Sequence, residues 1–352
     1  MDRKTTTVED VATLAGVSRG TVDRVLHNRP GVSAENLIRV RKAIEELGYE
    51  TNVYASSLAS KKERVIALLM PDYNKGEYWE KMYQGFSEAC KKNVNLKIRG
   101  VHYNYDSNDP ESFQRACDAI LEDEPNGVVL SPFFLDDMLL FTKSLSVKKI
   151  PYVYIDSKLD EPNYMAYFGV PMYRSGYLCA MLLTVGQKDE DVKEIVIVRI
   201  FKDSERRADP TLQRRMGFYE YMNEHYPKCN ITNLFIDPGD KNSIMDTLTD
   251  YFKEHTGVKH IVMFNSRLYL IDDYLKSHPD PERRVIGFDS LESNIKMLDQ
   301  KRVTVLIAQH IESQSQKAVN ALIQHILYGK TPEKKDNHMH MDILTCLNIE
   351  DY

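Results

Sequence analysis

The sequence predicts two parts of different fold class: an N-terminal all-α helix-turn-helix head, and a two-lobed α/β domain of parallel, doubly wound sheets. Short capped helical segments surround a tight turn near the N-terminus. From Arg64 onward, β-branched runs alternate with amphipathic segments of helical length, the order typical of parallel sheets. The chain has 352 residues, so about 290 remain after the head, which suits two lobes.

The head begins with a helix that carries one apolar stripe. Thr7 is placed to cap it, and Asp10, three residues later, lies in its first turn. Apolar residues recur at i, i+3, i+4 and i+7; they are Val8, Val11, Ala12 and Ala15. Gly16 then ends the helix where the chain needs a positive φ.

Two further helices complete a small core. Ser18 is placed to cap the second helix, and a third begins at Ser33 and stops at Gly48. The residues that they direct inward are Val22, Val25, Leu26, Leu37, Val40, Ile44 and Leu47. The second helix leaves outside Arg19, Gly20, Asp23 and Arg24. Its N-terminal residues could therefore meet base edges in a DNA major groove, although a capped three-helix bundle could also be a protein-binding module.

Several short runs of the head follow one another in a characteristic order. They are Val8-Glu9-Asp10-Val11-Ala12, Ala15-Gly16-Val17-Ser18, Thr21-Val22, Arg24-Val25 and Val32-Ser33, then Leu47-Gly48-Tyr49, Asn52, Ala55, Leu58 and Ala59. This series resembles the N-terminal signature of the LacI/GalR family of bacterial repressors. The resemblance implies a hinge helix over 52–59, in which Leu58 is the wedge that opens a base step in the minor groove. It also implies a homodimer that kinks a palindromic double-stranded operator.

The residues expected to contact DNA come from the head and the implied hinge. They are Thr7, Ser18, Arg19, Gly20, Thr21, Asp23, Arg24, Asn28, Asn52, Ala55 and Leu58. Two positions depart from the family pattern. Thr51 stands where the family has proline, so the hinge should be less rigid before DNA binds. Asp23 stands where serine is more common, and its carboxylate either repels phosphate or accepts a hydrogen bond from cytosine N4.

The charge of the head predicts how it binds DNA. Residues 1–63 contain ten Lys and Arg against nine Asp and Glu, so this part of the chain is nearly neutral. We expect moderate, salt-sensitive non-specific affinity, with specificity supplied by dimerisation, base contacts and the kink. The formal net charge of the whole chain is −6, which indicates that the larger domain does not itself seek nucleic acid.

The predicted domains are a helix-turn-helix domain over 1–50, a hinge helix and linker over 51–63, and an effector-binding and dimerisation domain over 64–352. We expect its N-lobe at about 64–170 and 310–335, and its C-lobe at about 171–309 and 336–352. The runs that predict strands are 65–70, 96–103, 127–131, 151–155, 194–200, 231–236, 259–264, 284–288 and 304–308.

Polar residues that follow strands indicate a ligand site, because ligands of open α/β sheets bind beyond the carboxyl ends of the strands. Val285-Ile286-Gly287-Phe288-Asp289 and Leu306-Ile307-Ala308-Gln309 resemble the end of the periplasmic sugar-binding protein fold, type I, which LacI/GalR proteins share. The resemblance implies that Asp289 and Gln309 form hydrogen bonds with sugar hydroxyls. Asp156 matches another strand-end aspartate, and Arg214 or Arg215 a ligand-binding arginine. The full set of expected effector-binding residues is Tyr78, Trp79, Asp156, Arg214, Asn265, Asp289 and Gln309.

Several of these residues also have a structural explanation. Asp289 could cap a helix that begins near Leu291, and Asn265 could cap as well. Tyr78 and Trp79 could be core residues of an amphipathic helix, and one of Arg214 and Arg215 should face solvent. Four positions depart from the sugar-binding pattern, which bears on the identity of the ligand; they are Gly76, Ser157, Pro171 and Met172.

Motifs for catalysis and metal binding are weak or absent in the sequence. The five cysteines are scattered and odd in number, which favours neither a disulfide framework nor a metal site. His338 and His340 are two apart without a third ligand nearby, which favours alternation on a strand. Because phosphate-binding glycine loops and serine elbows are also missing, we expect no cofactor, no metal and no enzyme activity. The N-terminal residues lack an apolar signal region and the apolar run near 177–185 is too short to span a bilayer, so we expect a cytoplasmic protein without a membrane partner.

These patterns together predict a transcriptional regulator, with repression the expected mode, whose operator affinity is controlled by a small polar effector, a sugar or sugar derivative. Two alternatives stay open at this point. One is a sugar-processing enzyme with a DNA-binding regulatory head, and the other is a constitutive architectural DNA binder whose large domain only dimerises. The sequence leaves open whether the effector induces or co-represses.

Overall fold

The computed structural model describes residues 6–26, 29–49, 63–200 and 211–350. The chain divides into two compact units, Met1–Lys61 and Lys62–Tyr352. The first unit contains the helical head and the second contains the α/β domain. No helix in the described ranges combines the length and the apolar character that crossing a membrane requires.

Over residues 6–26 and 29–49, the head forms three helices, α1 (Val8–Ala15), α2 (Arg19–Leu26) and α3 (Ala34–Glu46). Thr7 caps α1 as predicted, because its hydroxyl accepts from the Asp10 N–H at 3.3 Å while its own N–H donates to the Asp10 carboxylate at 2.8 Å. Gly16 ends α1 with a φ of 61°. The Ser18 hydroxyl accepts from the Thr21 N–H at 3.2 Å, which caps α2. The sequence therefore fixes both ends of the turn.

One small hydrophobic core holds these helices together. Its buried members come from all three helices and the residue run after them; they are Val11, Ala12, Ala15, Val22, Val25, Val40, Ala43 and Tyr49. The remaining predicted core residues are partly buried at its margin; they are Val8, Leu26, Leu37, Ile44 and Leu47. The apolar stripes read from the sequence thus meet as expected.

The first lobe of the larger unit is built on a six-stranded parallel sheet. Its strands are β1 (Arg64–Pro71), β2 (Ile98–Tyr105), β3 (Gly127–Leu130), β4 (Tyr152–Ile155), β5 (Ala166–Gly169) and β11 (Asp336–His338). Their order across the sheet is β11-β5-β4-β3-β1-β2. The helices of this lobe are α4 (Tyr78–Lys92), α5 (Pro110–Asp123), α6 (Leu135–Val147) and α12 (Ile311–Tyr328).

Helices cover both faces of this sheet, which explains the continuous apolar runs of its central strands. In β1, Ile66 and Leu68 pack in one core with residues of α4 and α12. Ala67 and Leu69 pack in a second core with residues of α5 and α6. Alternate residues point to opposite faces of the sheet, and the side chains on both faces are buried.

The second lobe repeats this plan. Its strands are β6 (Glu194–Ile200), β7 (Asn230–Ile236), β8 (His260–Val262), β9 (Arg284–Phe288), β10 (Val305–Ala308) and β12 (Asp342–Leu344). Their order is β12-β10-β9-β8-β6-β7, and β12 runs antiparallel to β10. The helices are α7 (Met172–Thr184), α8 (Leu212–His225), α9 (Lys241–Glu254), α10 (Asp272–Ser277) and α11 (Glu292–Asp299). Residues of α7 and α8 join one core of this lobe, and residues of α9, α10 and α11 join the other.

The chain crosses between the lobes after β5, after β10, and between β11 and β12. We predicted the last crossing near residue 335. However, β11 pairs with β5, so residues 336–338 belong to the first lobe and the crossing follows them. The predicted C-lobe segment 336–352 is corrected accordingly.

All nine predicted strands are present, and β2 shows the largest shift. It begins at Ile98 because residues 94–96 form a 3₁₀ turn, which Lys97 ends with a φ of 59°. The sequence pattern missed β5, β11 and β12, which have only three or four residues each. In β11 the residues are Asp, Asn and His, so the strand forms through backbone pairing without an apolar signal. His338 ends β11, and His340 follows it.

Candidate ligand-binding site

A cavity of about 390 Å³ lies where residues after the strands of both lobes face each other. Its volume falls in the range of sites for small molecules. The structure places all seven predicted effector residues on its wall: Tyr78, Trp79, Asp156, Arg214, Asn265, Asp289 and Gln309. The first three come from the first lobe, so residues of both lobes would contact a bound molecule.

On the side of the first lobe, Asp156 and Tyr78 form a half-buried pair. Asp156 directly follows β4 with a φ of 64°, and its N–H donates to the Gln314 side chain at 2.9 Å. The Tyr78 hydroxyl, at the start of α4, donates to the Asp156 carboxylate at 2.6 Å. Burial raises the pKa of Asp156, against the opposing effect of the Tyr78 hydrogen bond. Burial also raises the pKa of Tyr78 well above its usual value, so this hydroxyl keeps its proton.

On the side of the second lobe, three buried side chains form a continuous hydrogen-bond chain. The Gln309 amide nitrogen donates to the Asp289 carboxylate at 2.7 Å, and Arg214 donates to the Gln309 side-chain oxygen. Asp289 follows β9 with a φ of 69°, and Gln309 directly follows β10. The exposed fractions of Asp289, Gln309 and Arg214 are 1%, 2% and 4%. The ends of the neighbouring strands β9 and β10 thus bring Asp289 and Gln309 into contact.

Several contacts fix the Arg214 guanidinium at the cavity wall. It donates to the Phe264 carbonyl at 2.8 Å and to the Ser175 hydroxyl at 3.1 Å. Its central carbon lies 4.2 Å from the centroid of the Phe288 ring. These contacts fix the arginine in one orientation before a ligand arrives.

Close packing of α7 against α8 puts Arg214 in this place. A Cβ on Gly176 would lie 1.7 Å from the Arg214 carbonyl oxygen, and one on Gly217 would lie 2.0 Å from the Tyr173 carbonyl oxygen. Both positions therefore require glycine for the backbones to approach each other. The crossing presents Arg214 to the cavity, while the Arg215 guanidinium donates to the Thr211 hydroxyl at 3.1 Å.

The pKa of the Asp289 carboxyl group is strongly raised. Burial raises its pKa to about 7, although the charge of Arg214 and the Gln309 hydrogen bond act in the opposite direction. The Asp156 charge raises it further. The negative charge of Asp156 thus opposes the ionisation of Asp289.

The structure shows which of the structural explanations also hold for these residues. The N-cap of α11 is Leu291, without a capping side chain, so Asp289 does not cap that helix. The Asn265 side-chain oxygen does accept from the Arg267 N–H at 2.9 Å, so this residue shapes a turn as well as lining the cavity. The Tyr78 and Trp79 rings contact each other edge to face, with their centroids 5.1 Å apart. Both rings also pack on the first-lobe core.

Many residues of the cavity wall were not predicted. They are Glu77, Ser131, Pro132, Phe133, Met172, Val198, Arg199, Ile200, Thr211, Phe235, Phe264, Ser266, Arg267, Tyr269 and Leu291. Ser131 directly follows β3, and Pro132, Phe133 and Phe264 lie two or three residues beyond strand ends, so the strand-end rule could have found these four. Of the four positions that depart from the sugar-binding pattern, Met172 lines the described cavity.

The head presents part of its predicted DNA-contacting set to solvent. Thr7, Ser18, Arg19, Gly20 and Arg24 are exposed, whereas Thr21 and Asp23 are half-buried. The Ser18 and Thr21 hydroxyls lie 3.0 Å apart. Asp23 and Arg29 form an ion pair at 3.1 Å, which gives the Asp23 carboxylate a partner within the head. The predictions for Asn28, Thr51, Asn52, Ala55, Leu58 and Ala59 lie outside the described residues.

Comparison with known proteins agrees with both parts of the chain. Residues 7–52 match the model of the bacterial regulatory proteins of the lacI family, and residues 66–331 match that of the periplasmic binding protein domain. A crystal structure from Bacteroides fragilis, described as that of a LacI transcriptional regulator, is 34% identical in sequence. It has a TM-score of 0.76 and covers 83% of this chain and 100% of the other.

The chain belongs to the LacI family. Among curated LacI-type relatives, the HTH-type transcriptional regulator MalR of Streptococcus pneumoniae is 40% identical over 25% of this chain and 28% of its own length. The probable HTH-type transcriptional repressor ExuR of Bacillus subtilis is 25% identical over 62% of this chain and 61% of its own length. The alignments thus span less than two thirds of these regulators. These relatives are named as regulators of transcription.

Solute-binding proteins share the fold of the larger unit. One from Agrobacterium vitis, in complex with alpha-D-tagatopyranose, has a TM-score of 0.69 and 17% identity over 82% of this chain and 97% of the other. At this identity the similarity shows the fold alone. It confirms the predicted two-lobed α/β architecture.

Proposed function

We propose that this LacI-family chain is a homodimeric, sequence-specific regulator of transcription whose operator affinity depends on a small polar effector. The effector, a sugar or sugar derivative, binds in the cavity between the two lobes. The observation that carries this proposal is the hydrogen-bond chain Asp289–Gln309–Arg214, which faces the Asp156–Tyr78 pair across that cavity.

The chemistry of the wall suits a polyhydroxylated ring. Carboxylates accept hydrogen bonds from hydroxyl groups, and the Gln309 and Arg214 side chains supply donors beside them. Trp79 and Phe235 offer aromatic faces, which suit the apolar C–H face of a sugar ring. Buried polar groups are expensive unless they are paired, and a ligand hydroxyl can join this network without leaving a group unsatisfied.

A ligand held by both lobes would link them. Asp156 belongs to the first lobe and Asp289 to the second, so a molecule that bonds to both stabilises a closed arrangement. Gln309 and His310 lie on a segment that crosses between the lobes, and the His310 ring nitrogen lies 2.9 Å from the carboxylate of Asp342, the first residue of β12 after the third crossing. We infer that closure moves the first lobes of a dimer relative to each other and so changes the state of the hinge.

The DNA side of the proposal rests on the head. In a homodimer, two α2 helices would enter two half-sites of a palindromic operator, with Arg19, Gly20 and Arg24 exposed for contact. Thr7, Ser18, Thr21, Asp23 and Asn28 complete the proposed contact set of the head. Asn52, Ala55 and Leu58 are proposed as the hinge contacts, with Leu58 as the wedge. An inducer would lower the affinity of the protein for its operator, and a co-repressor would raise it.

Ligand-dependent thermal stabilisation tests the effector site. A panel of monosaccharides and their derivatives is screened against the intact chain by differential scanning fluorimetry. A stabilising sugar should lose its effect in Asp289→Asn, because the carboxylate that accepts its hydroxyl is gone. Asp299→Asn is the matched control, since Asp299 is exposed and lies outside the cavity wall. If Asp289→Asn keeps the full stabilisation, this residue does not bind the effector.

A further inference from the structure

The cavity wall contains an arginine that the resemblance to sugar-binding proteins did not predict. Arg267 follows β8 in a turn that leads into a 3₁₀ helix over 268–271. It is half-buried and lines the cavity from the second lobe. The charge of this arginine indicates which chemical class of effector the cavity binds. That inference rests on the proposed function.

Hydrogen bonds from Asn294 and close packing on β9 hold the turn that carries Arg267. Asn294 is fully buried, and its side-chain nitrogen donates to the Ser266 carbonyl at 2.8 Å. The Asn294 oxygen accepts from the Tyr269 N–H at 3.1 Å. A Cβ on Gly287 would lie 2.5 Å from the Leu268 side chain, so the turn also packs tightly on β9. The backbone of Arg267 is therefore held in place without a ligand.

The carboxylates on the wall already have partners. Asp156 accepts from Tyr78, and Asp289 accepts from Gln309. Glu77 accepts from the Asn74 N–H at 3.0 Å. By contrast, the Arg267 guanidinium forms no ion pair or hydrogen bond with any residue in the described part of the chain.

The other arginines of the wall differ from Arg267 in this respect. Arg214 is engaged by Gln309, Phe264 and Ser175, as described above. The guanidinium carbon of Arg199 lies 4.9 Å from the centroid of the Phe235 ring. Arg267 is thus the cation on the described wall that a ligand can reach without displacing an observed bond.

We propose that the effector carries an anionic group, a carboxylate or a phosphate, and that Arg267 binds it. The hydroxyl groups of the same molecule bind deeper, at Asp156, Asp289 and Gln309. A half-buried guanidinium without a counter-ion is unfavourable, and an anion would relieve this cost through charge-assisted, bidentate hydrogen bonds. The planar guanidinium fork can donate two parallel hydrogen bonds to two oxygens of a carboxylate or a phosphate, which a lysine ammonium does not.

Affinities for matched neutral and anionic sugars test this proposal. Isothermal titration calorimetry compares glucose with glucuronate and glucose 6-phosphate, and galactose with galacturonate and galactose 6-phosphate. At least one anionic form should bind about tenfold more tightly than its neutral parent, the size expected for a charged hydrogen bond. Comparing the two anionic forms distinguishes a carboxylate effector from a phosphate.

Variants assign the preference to Arg267. Arg267→Gln should remove about tenfold of the affinity for the anionic sugar and leave the neutral sugar within about twofold. Arg267→Lys should retain part of the preference, because it keeps the charge and loses the fork. Lys296→Gln, at an exposed site on the same lobe and outside the cavity wall, is the charge-matched control and should change neither affinity.

Two outcomes would overturn the inference while the proposed function stands. The first is a neutral sugar that binds as tightly as both of its anionic forms. The second is that Arg267→Gln and Glu77→Gln weaken neutral and anionic sugars by the same factor. In that case Arg267 serves as a partner of Glu77 when the lobes close. If no sugar binds in either form, both the inference and the proposed sugar effector fail.

Discussion

At the scale of residues, two carboxyl groups define the candidate site, Asp156 half-buried and Asp289 fully buried. Asp156 and Asp289 each follow a central strand in a left-handed conformation, with φ values of 64° and 69°. Their positions after strands could be predicted from the sequence, because carboxyl ends of parallel strands meet at one edge. Their hydrogen bonds to Tyr78 and Gln309 could not be predicted, because these two residues come from other elements and only the fold brings the side chains into contact.

The raised pKa of Asp289 predicts how stability depends on pH. This carboxyl group titrates at about 7 in the folded chain, against 3.8 for an unperturbed aspartate. Between these values the folded state binds more protons than the unfolded state, so the free energy of unfolding should fall as pH rises and level off above about pH 7. Asp289→Asn removes this contribution.

Urea unfolding of the ligand-free wild type and of Asp289→Asn between about pH 5 and pH 8 checks this prediction. Over this window the wild type should lose more stability than the variant. Asp156 shifts in the same direction, so some dependence on pH should persist in the variant. Equal pH slopes in the two proteins would contradict the assignment of a raised pKa to Asp289.

At the scale of elements, the crossing of α7 and α8 connects packing to the site. Gly176 and Gly217 let the two helices approach until backbone atoms touch, and Arg214 is presented to the cavity from this crossing. The sequence predicted an arginine here but left Arg214 and Arg215 as alternatives. The choice depends on the rotation of α8, which the glycine contacts fix.

Gly176→Ala should therefore damage both stability and binding. The added methyl would lie 1.7 Å from the Arg214 carbonyl oxygen, and such overpacking costs about 1–3 kcal/mol or more of the free energy of unfolding. Because α8 must shift, the thermal stabilisation by ligand should also fall. Gly257→Ala is the control, since it has no atom within 4 Å of the added Cβ and should change stability by less than about 0.5 kcal/mol. If Gly176→Ala resembles this control, the close approach of the helices does not position Arg214.

Elements without a periodic apolar pattern could not be predicted from the sequence. In β11, Asp336 and Asn337 lack the apolar alternation of a strand, and this strand moves the lobe boundary past residue 338. Arg267 was missed for a related reason, because nothing in its sequence context indicates that it faces a cavity. The central strands and the head were predicted well, since their apolar periodicity and capping residues are local signals.

At the scale of the whole molecule, effector binding by the larger domain must be coupled to operator binding by the head. The head is nearly neutral, with ten basic and nine acidic residues over 1–63, so it gains little from general attraction to DNA. We infer that it acts in pairs and through specific contacts. A coupling free energy of about 1–3 kcal/mol between the effector site and the operator site would change operator affinity by about 5- to 150-fold.

The most direct test measures operator affinity with and without the effector. DNA selected from a random pool by the intact protein supplies the operator, and fluorescence anisotropy gives its dissociation constant at fixed salt. With the stabilising sugar of the thermal screen at saturation, the wild type should change this constant by at least about fivefold. Asp289→Asn should bind the operator as the wild type does without sugar and should not respond to sugar. An Asp289→Asn protein that still responds in full, or a wild type whose operator affinity is the same with and without bound sugar, would contradict the account.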